Sequence, residues 1–309
     1  MTSRNFPGNG NGSSSSARPP SKGRYRIFSL KSLIVLIVLL TVFACAFFFG
    51  LRKVERAVAF HPVSVQAGET WIAPALAEDV WFSTNDGYRL HGWFFKAQAT
   101  PATATIIYFH GNGGNIKNIG WLGEHLAARG LSVLLFDYRG YGRSEGSLED
   151  EAGLYADADA AYEYVLSKRG VPPQKVVLYG HSLGTAAVAD LAARRECAAV
   201  IMESGPSSGR DMAKVVLPWL PSQLYFLAKN RFDSVGKLSR VHCAVLITHG
   251  ESDETVPTEQ ARTLFAAANQ PKKLMILPGA DHNFSGSLGE KYLDTITEFI
   301  KDPANAANH

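Results

Sequence analysis

The sequence predicts an α/β domain, a mostly parallel sheet with helices on both faces, preceded by one N-terminal transmembrane helix. Three observations carry this expectation. Short apolar runs alternate with longer helical patterns from residue 78 to about 302. Those runs are continuously apolar, which marks strands buried on both faces, and such strands belong to parallel sheets crossed over by helices. Finally, Ser32 to Leu51 holds 20 residues without a charge.

Residues 1–31 read as a flexible basic tail, rich in Gly, Asn, Ser and Pro at its start with almost nothing apolar to bury. At about 1.5 Å per residue, a helix over Ser32 to Leu51 reaches roughly 30 Å, one hydrocarbon thickness. It has no polar stripe, as a core helix would, so it reads as a membrane span. Cleavage at Ala44-Cys45-Ala46, or lipidation of Cys45, fits poorly. The stretch ahead of the apolar run is long, Phe43 is bulky, and Ala46 to Leu51 continue the run, so an uncleaved signal anchor is expected. Six basic residues and no acid precede the span, whereas Arg52, Lys53 and Arg56 follow it with Glu55. The bias places the N-terminus in the cytoplasm and the domain on the outer side.

Charge is divided just as sharply. Residues 1–56 carry nine of the 31 basic residues and one of the 28 acidic ones, a local +8 that leaves −5 for the rest. An acidic domain argues against nucleic acid as a partner. Residues 52–77 read as a linker. Beyond it, Val80 to Ser83 and Leu90 to Phe95 flank Asn85-Asp86-Gly87 and form a hairpin. Strands follow at Thr105 to Phe109, Ser132 to Phe136, Lys175 to Tyr179, Ala199 to Met202, Ala244 to Thr248 and Leu274 to Leu277. Helices are expected at Ile119 to Arg129, Glu149 to Lys168, Leu183 to Arg195, about Pro257 to Ala268 and Gly289 to Lys301.

Chemistry concentrates after three strands. Gly180-His181-Ser182-Leu183-Gly184 sits between the strand Lys175 to Tyr179 and a helix. A sharp strand-to-helix turn needs small residues on either side, and it lifts the Ser182 hydroxyl to a helix N-terminus, where negative charge is favoured. A serine hydroxyl needs a base, and the base needs an orienting carboxylate. Asp253 follows the strand ending at Thr248, and His282 follows the strand ending at Leu277, with Glu251, Glu254 and Asp281 as competing acids. The order Ser, acid, His is that of α/β-hydrolases. An oxyanion needs two N–H donors, for which Leu183 N–H and Asn112 N–H are the candidates, with Gly113 as the alternative to Asn112. His110-Gly111-Asn112-Gly113-Gly114 lacks the Gly-Lys-Ser/Thr ending of a phosphate loop.

These segments resemble a known group. Phe-His-Gly-Asn-Gly-Gly-Asn (109–115), Asp-Tyr-Arg-Gly-Tyr-Gly-Arg-Ser-Glu-Gly (137–146), Gly-His-Ser-Leu-Gly (180–184), Glu-Ser-Gly-Pro (203–206), His-Gly-Glu-Ser-Asp-Glu-Thr-Val-Pro (249–257) and Asp-His-Asn-Phe (281–284) look like those of single-domain α/β-hydrolases with an N-terminal membrane anchor. That group includes lysophospholipid lipases, protein depalmitoylases and bacterial relatives. The resemblance implies an α/β-hydrolase fold over residues 78–301 and a bracing role for Asp137 to Gly146, with no catalytic part for Arg139 or Ser144. Gly205 departs from the usual pattern.

An apolar insertion at about 206–240, including Val215, Val216, Leu217, Trp219, Leu220, Leu224, Tyr225, Phe226 and Leu227, reads either as helices buried on the core or as a lid over an acyl chain. The three cysteines match no zinc site. Cys197 and Cys243 are either free thiols or a single bridge, which requires their strands to be neighbours and the compartment oxidising. The expected function is ester or thioester hydrolysis of a small-molecule or lipid acyl substrate, with no cofactor and no metal. The alternatives are an amide or peptide hydrolase and a non-catalytic binding protein on the same fold.

Overall fold

The computed structural model describes residues 29–65, 69–219, 221, 225 and 227–303. Most of the basic tail, and Leu220, Leu224 and Phe226 of the insertion, lie outside the described residues. The chain divides into two units, one ending at Phe49 and one beginning at Gly50.

Helix α1 (Leu30–Ala59) crosses that division. Its apolar part is long and apolar enough to cross a bilayer, a property shared by anchors and signal sequences, and none of the helix is buried. The helix continues past the uncharged run because Arg52, Lys53, Glu55 and Arg56 are themselves good helix formers. The first residues of the expected linker at 52–77 are thus helical. Glu55 accepts from Lys229 N and Asn230 N (3.1 and 2.5 Å), Arg52 donates to the Leu227 carbonyl (3.0 Å), and Arg56 pairs with Glu149 (2.7 Å). Phe60 is buried with its ring edge against Phe232. Next, β1 (His61–Pro62) pairs in parallel with the short β5 (Gly113–Gly114).

The main sheet has eight strands. The hairpin of β2 (Ala77–Ser83) and β3 (Arg89–Phe95) turns at Gly87, which supplies a φ of 94°. Then come β4 (Thr105–Phe109), β6 (Ser132–Phe136), β7 (Val176–His181), β8 (Ala199–Glu203), β9 (Ala244–Gly250) and β10 (Lys272–Leu277). The spatial order is β10-β9-β8-β7-β4-β6-β3-β2. Among the described residues the β2–β3 and β3–β6 pairings are antiparallel and the other five pairings of this sheet are parallel.

Side-chain alternation divides the interior into two layers. Ile107, Phe109, Leu134 and Phe136 face one way, into the layer shared with α3 (Glu151–Arg169), α4 (Gly184–Ala192) and α7 (Glu259–Ala267). Ile106, Tyr108, Val133 and Leu135 face the other, toward α2 (Gly120–Ala128) and α8 (Phe284–Lys301). Helix α8 is broken at Gly289, where φ is 53°, which is why its regular pattern begins at that glycine in the sequence. Between β8 and β9, the insertion contributes α5 (Gly209–Val216) and α6 (Ser234–Leu238). Helix α6 is anchored by buried Ser234 and Leu238, whereas α5 buries no residue. Val215 and Val216 are exposed and Trp219 is 75% exposed, so this part of the insertion does not bury its apolar side chains on the core.

The segment from Asp137 to Gly146 braces the sheet. Ser144 Oγ donates to the Asp137 carbonyl (2.6 Å) and accepts from His91 N (2.9 Å). Arg139 spans from exposed Asp86 (2.6 Å) to fully buried Asp157 (2.7 Å). Burial pushes the Asp157 carboxyl up to about 6 even though Arg139 pulls it down. Removing the guanidinium therefore strands a buried charge. Arg139→Met should lower unfolding free energy by about 3–5 kcal/mol, and adding Asp157→Asn, which keeps an acceptor for Arg139 N, should recover more than half of it. Denaturant titration of the detergent-solubilised chain checks both; a cost under about 1 kcal/mol for the single variant would show that the pair is not a brace.

Candidate active site

The turn after β7 is built by backbone close approach. A Cβ at Gly184 would lie 2.0 Å from the Phe109 carbonyl oxygen, and one at Gly180 would lie 2.7 Å from the Gly184 and Thr185 backbone. Both positions exclude any side chain. Between them, Ser182 is held at a φ of 52°, a conformation strained for a non-glycine residue, with its N–H donating to the Glu203 carbonyl (2.8 Å) and its carbonyl accepting from Thr185. The strain turns the hydroxyl out at the N-terminus of α4, next to the loop after β4: a Cβ at Gly111 would lie 3.5 Å from Ser182 Cβ.

The structure brings Ser182, His282 and Asp253 into one hydrogen-bonded chain. His282 Nε2 lies 3.1 Å from Ser182 Oγ, and His282 Nδ1 lies 2.8 Å from Asp253 Oδ2. An ionised carboxylate only accepts, so Nδ1 carries the proton and Nε2 is left to accept from the serine hydroxyl. Asp253 is fully engaged: Oδ1 accepts from Thr255 N and Val256 N (2.9 and 2.8 Å), and His249 Nε2 lies 3.1 Å from Oδ2. Burial pushes the Asp253 carboxyl up, but the hydrogen bonds from His249, His282 and Val256 N outweigh it and hold the group well below the usual carboxylate range. The competing acids are turned elsewhere, Glu251 toward Gly279 N and Asp281 toward Asn283 N, and Glu254 is exposed.

Leu183 N–H and Asn112 N–H have no acceptor among the described residues. Three successive carbonyls of the Asn112 loop are committed. Tyr138 OH donates to the His110 carbonyl (2.9 Å), His110 Nδ1 to the Gly111 carbonyl (2.7 Å), and both Tyr141 OH (3.0 Å) and His61 N (3.1 Å) to the Asn112 carbonyl. Because a trans peptide is planar, fixing the Gly111 carbonyl toward the His110 ring fixes the Asn112 N–H in the opposite direction. His110 is buried beside Asp137 at 3.7 Å, too far for a hydrogen bond. Burial lowers His110 to about 4 and raises Asp137 to about 8, so at neutral pH this is a neutral pair rather than an ion pair.

Three positioning groups were missed in the sequence. The His282 carbonyl accepts from His181 Nε2 (3.1 Å) and Ser204 Oγ (3.0 Å), so the imidazole is placed through its own backbone. His249, to which the sequence assigns no role, supports Asp253. Ser204 has a φ of 49°, and a Cβ at Gly205 would strike the Thr185 side chain at 2.5 Å, which gives the unusual glycine a packing reason. The available signal was proximity in sequence: each residue adjoins a motif, but the contacts of His181 and Ser204 run to a backbone carbonyl of a distant segment.

The folded-state Asp253 carboxyl lies below its unfolded value of about 3.9, so its stabilisation is present above that value and is lost as pH falls below it. Between pH about 5 and 3 the wild-type Tm should fall more steeply than that of Asp253→Asn, by several degrees over the interval, in differential scanning fluorimetry. Parallel slopes would mean that Asp253 is not stabilised as a carboxylate.

Known proteins share this arrangement of chain. A family model described as the alpha/beta hydrolase fold matches residues 104–242. The chain is 34% identical over 275 residues to the uncharacterized protein Rv2307c of Mycobacterium tuberculosis, covering 89% of this chain and 96% of that one. It is 32% identical over 225 residues to alpha/beta hydrolase domain-containing protein 17C of Mus musculus, covering 72% and 68%. Among solved structures, the esterase Pf2001 of Pyrococcus furiosus superposes with a TM-score of 0.64 at 20% identity, over 78% of this chain and 98% of that one, a likeness of fold. With relatives above 30% identity matched over more than two thirds of their length, and with this strand order, the chain belongs to the α/β-hydrolase family.

Proposed function

We propose that the protein is a membrane-tethered serine hydrolase that cleaves an ester or thioester of an acyl substrate. The observation that carries the reading is the chain from Ser182 Oγ through His282 to Asp253, with the hydroxyl presented on a strained turn at a helix N-terminus. His282 Nε2 takes the Ser182 proton as Oγ attacks the carbonyl carbon, and the N–H groups of Leu183 and Asn112 receive the oxyanion. Collapse returns that proton to the leaving alcohol or thiol and leaves Ser182 acylated. His282 then takes a proton from water, whose oxygen attacks the acyl carbon, and returns it to Ser182. Asp253 keeps the imidazole in the required tautomer and stabilises the transient imidazolium. Preference for an acyl substrate is supported by the exposed apolar side chains of Val215, Val216 and Trp219 on the insertion. The tether reading rests on α1 as an uncleaved anchor, with the basic tail in the cytoplasm and the domain outside.

Ser182→Ala and His282→Ala should each lower turnover on p-nitrophenyl butyrate by about 10⁵–10⁶, and Asp253→Asn by about 10⁴, with the fold intact by circular dichroism. Ser182 should label with a fluorophosphonate. A wild-type chain that stays unlabelled would point to a binding protein, and cleavage of amides without esters would point to a peptidase.

Removing residues 1–49 leaves the second unit with its Arg52, Glu55 and Arg56 contacts. This shortened chain should retain kcat/KM on the soluble ester and lose at least tenfold on a lysophospholipid in vesicles, because tethering raises the effective concentration of a bilayer-borne substrate. Equal rates on both substrates would remove the membrane-borne acyl substrate from the reading.

A further inference from the structure

Strands β8 and β9 are parallel neighbours, with Ala199 opposite Ala244 at their first paired position. Cys197 and Cys243 stand just before that position, one on each strand's lead-in, with their Sγ atoms 3.1 Å apart. A disulfide needs about 2.05 Å, so closing the bond asks for roughly 1 Å of approach between side chains already facing each other. The two are 46 positions apart in the chain, and the stretch between them contains the whole of the insertion with α5 and α6. Both are half-buried rather than sealed in the core. They lie at the N-terminal ends of the strands, whereas Ser182, Asp253 and His282 follow the C-terminal ends of theirs.

We propose that Cys197 and Cys243 form an intramolecular disulfide that closes the root of the insertion-bearing loop. The two thiols share one hydrogen bond in which either sulfur can donate, so a thiolate formed on one is stabilised by the thiol of the other. Exchange can begin at either sulfur; take Cys243 as the first nucleophile. Its thiolate attacks one sulfur of a small-molecule disulfide such as oxidised glutathione, breaking that S–S bond and releasing one glutathione thiolate. Cys197 then loses its proton and attacks the Cys243 sulfur of the mixed disulfide, releasing the second. Two protein thiols are oxidised, one glutathione disulfide is reduced, and the two protons end on two glutathione thiols. The bond removes loop-closure freedom from the unfolded chain, and by that model a loop of this length is worth a Tm shift on the order of 10 °C in a domain of this size. The proposal is independent of the hydrolase reading, since neither sulfur takes part in the site.

The test uses the full chain in detergent with Cys45→Ala, so that the cysteine of α1 cannot form bonds between molecules. After full reduction, incubation with oxidised glutathione should render both thiols unreactive to maleimide and give one cross-linked Cys197–Cys243 peptide by mass spectrometry. It should also raise Tm on the order of 10 °C, reversibly with dithiothreitol. Adding Cys197→Ser should abolish the cross-link and the Tm shift while leaving fluorophosphonate labelling of Ser182 as it was before oxidation. Because reduced and oxidised forms of one chain are compared, the result stands even where the serine variant folds poorly. Two free thiols after equilibration, separate glutathione adducts on each cysteine, or a cross-link obtained only from denatured chain would overturn the proposal.

Discussion

The close approach of two backbones at the centre of the sheet is the constraint on which the site depends. β4 and β7 are adjacent, Phe109 pairs with Gly180, and the chain leaving β4 passes so near the start of α4 that only hydrogen fits at Gly184. That contact places the Asn112 loop beside Ser182. A side chain at Gly184 would force the two backbones apart, and one at Gly180 would break the turn itself. The strained φ at Ser182 follows from the same constraint, because the chain must reverse from strand to helix within the room that the Phe109 carbonyl leaves.

Around this contact the protein uses buried polar groups that are largely neutral. His110 and Asp137 are uncharged at neutral pH, and burial raises Tyr179 and Tyr292, which donate to the carboxylate oxygen of fully buried Glu203. His110, Asp137 and the two tyrosines thus present oriented dipoles in this layer. Such a layer holds carbonyls and amides in place without the desolvation cost of several ions, which suits a site where charge is to appear only transiently. Asp253 is the exception. Its ionisation is supported by four donors, and one of them is the ring it orients.

What could be read from the sequence was whatever has a local cause. Strands announced themselves by continuous apolar runs that stop at a polar residue, His110 after β4 and Asp137 after β6, so both match their expected ranges to the residue. Ser182, Asp253 and His282 were legible because each follows a strand in a fixed order. The misses share a different cause. Helix α1 runs to Ala59 because helical propensity, not hydropathy, sets its end. β1 was invisible because two residues, His61 and Pro62, carry no pattern and pair with a distant glycine pair. Ser204 and His181 act by hydrogen bonds across segments far apart in sequence, to a backbone carbonyl that any residue could have provided, and His249 acts on a carboxylate one loop ahead of it. The proximity of Cys197 and Cys243 likewise depends on β8 lying beside β9, which the order of elements along the chain does not dictate.

The stretch from Gly50 to Val65 changes how a tether would act on such a site. A flexible linker would transmit only concentration, leaving the chemistry of the domain untouched. Here the stretch is hydrogen-bonded to the domain at two places. Glu55 holds the amides of Lys229 and Asn230 at the end of the insertion, and Arg52 holds the Leu227 carbonyl. A few residues on, His61 N holds the Asn112 carbonyl, its ring meets the Asn112 side chain (3.0 Å), and the Val63 carbonyl accepts from Asn115. Asn112 therefore has its preceding carbonyl set by His110 and its own carbonyl set by β1, so the amide between them has no rotational freedom left. Pulling residues 50–65 away would release the insertion and the amide together. A stretch that the sequence assigns to connection is joined by its hydrogen bonds to both the insertion and the loop after β4.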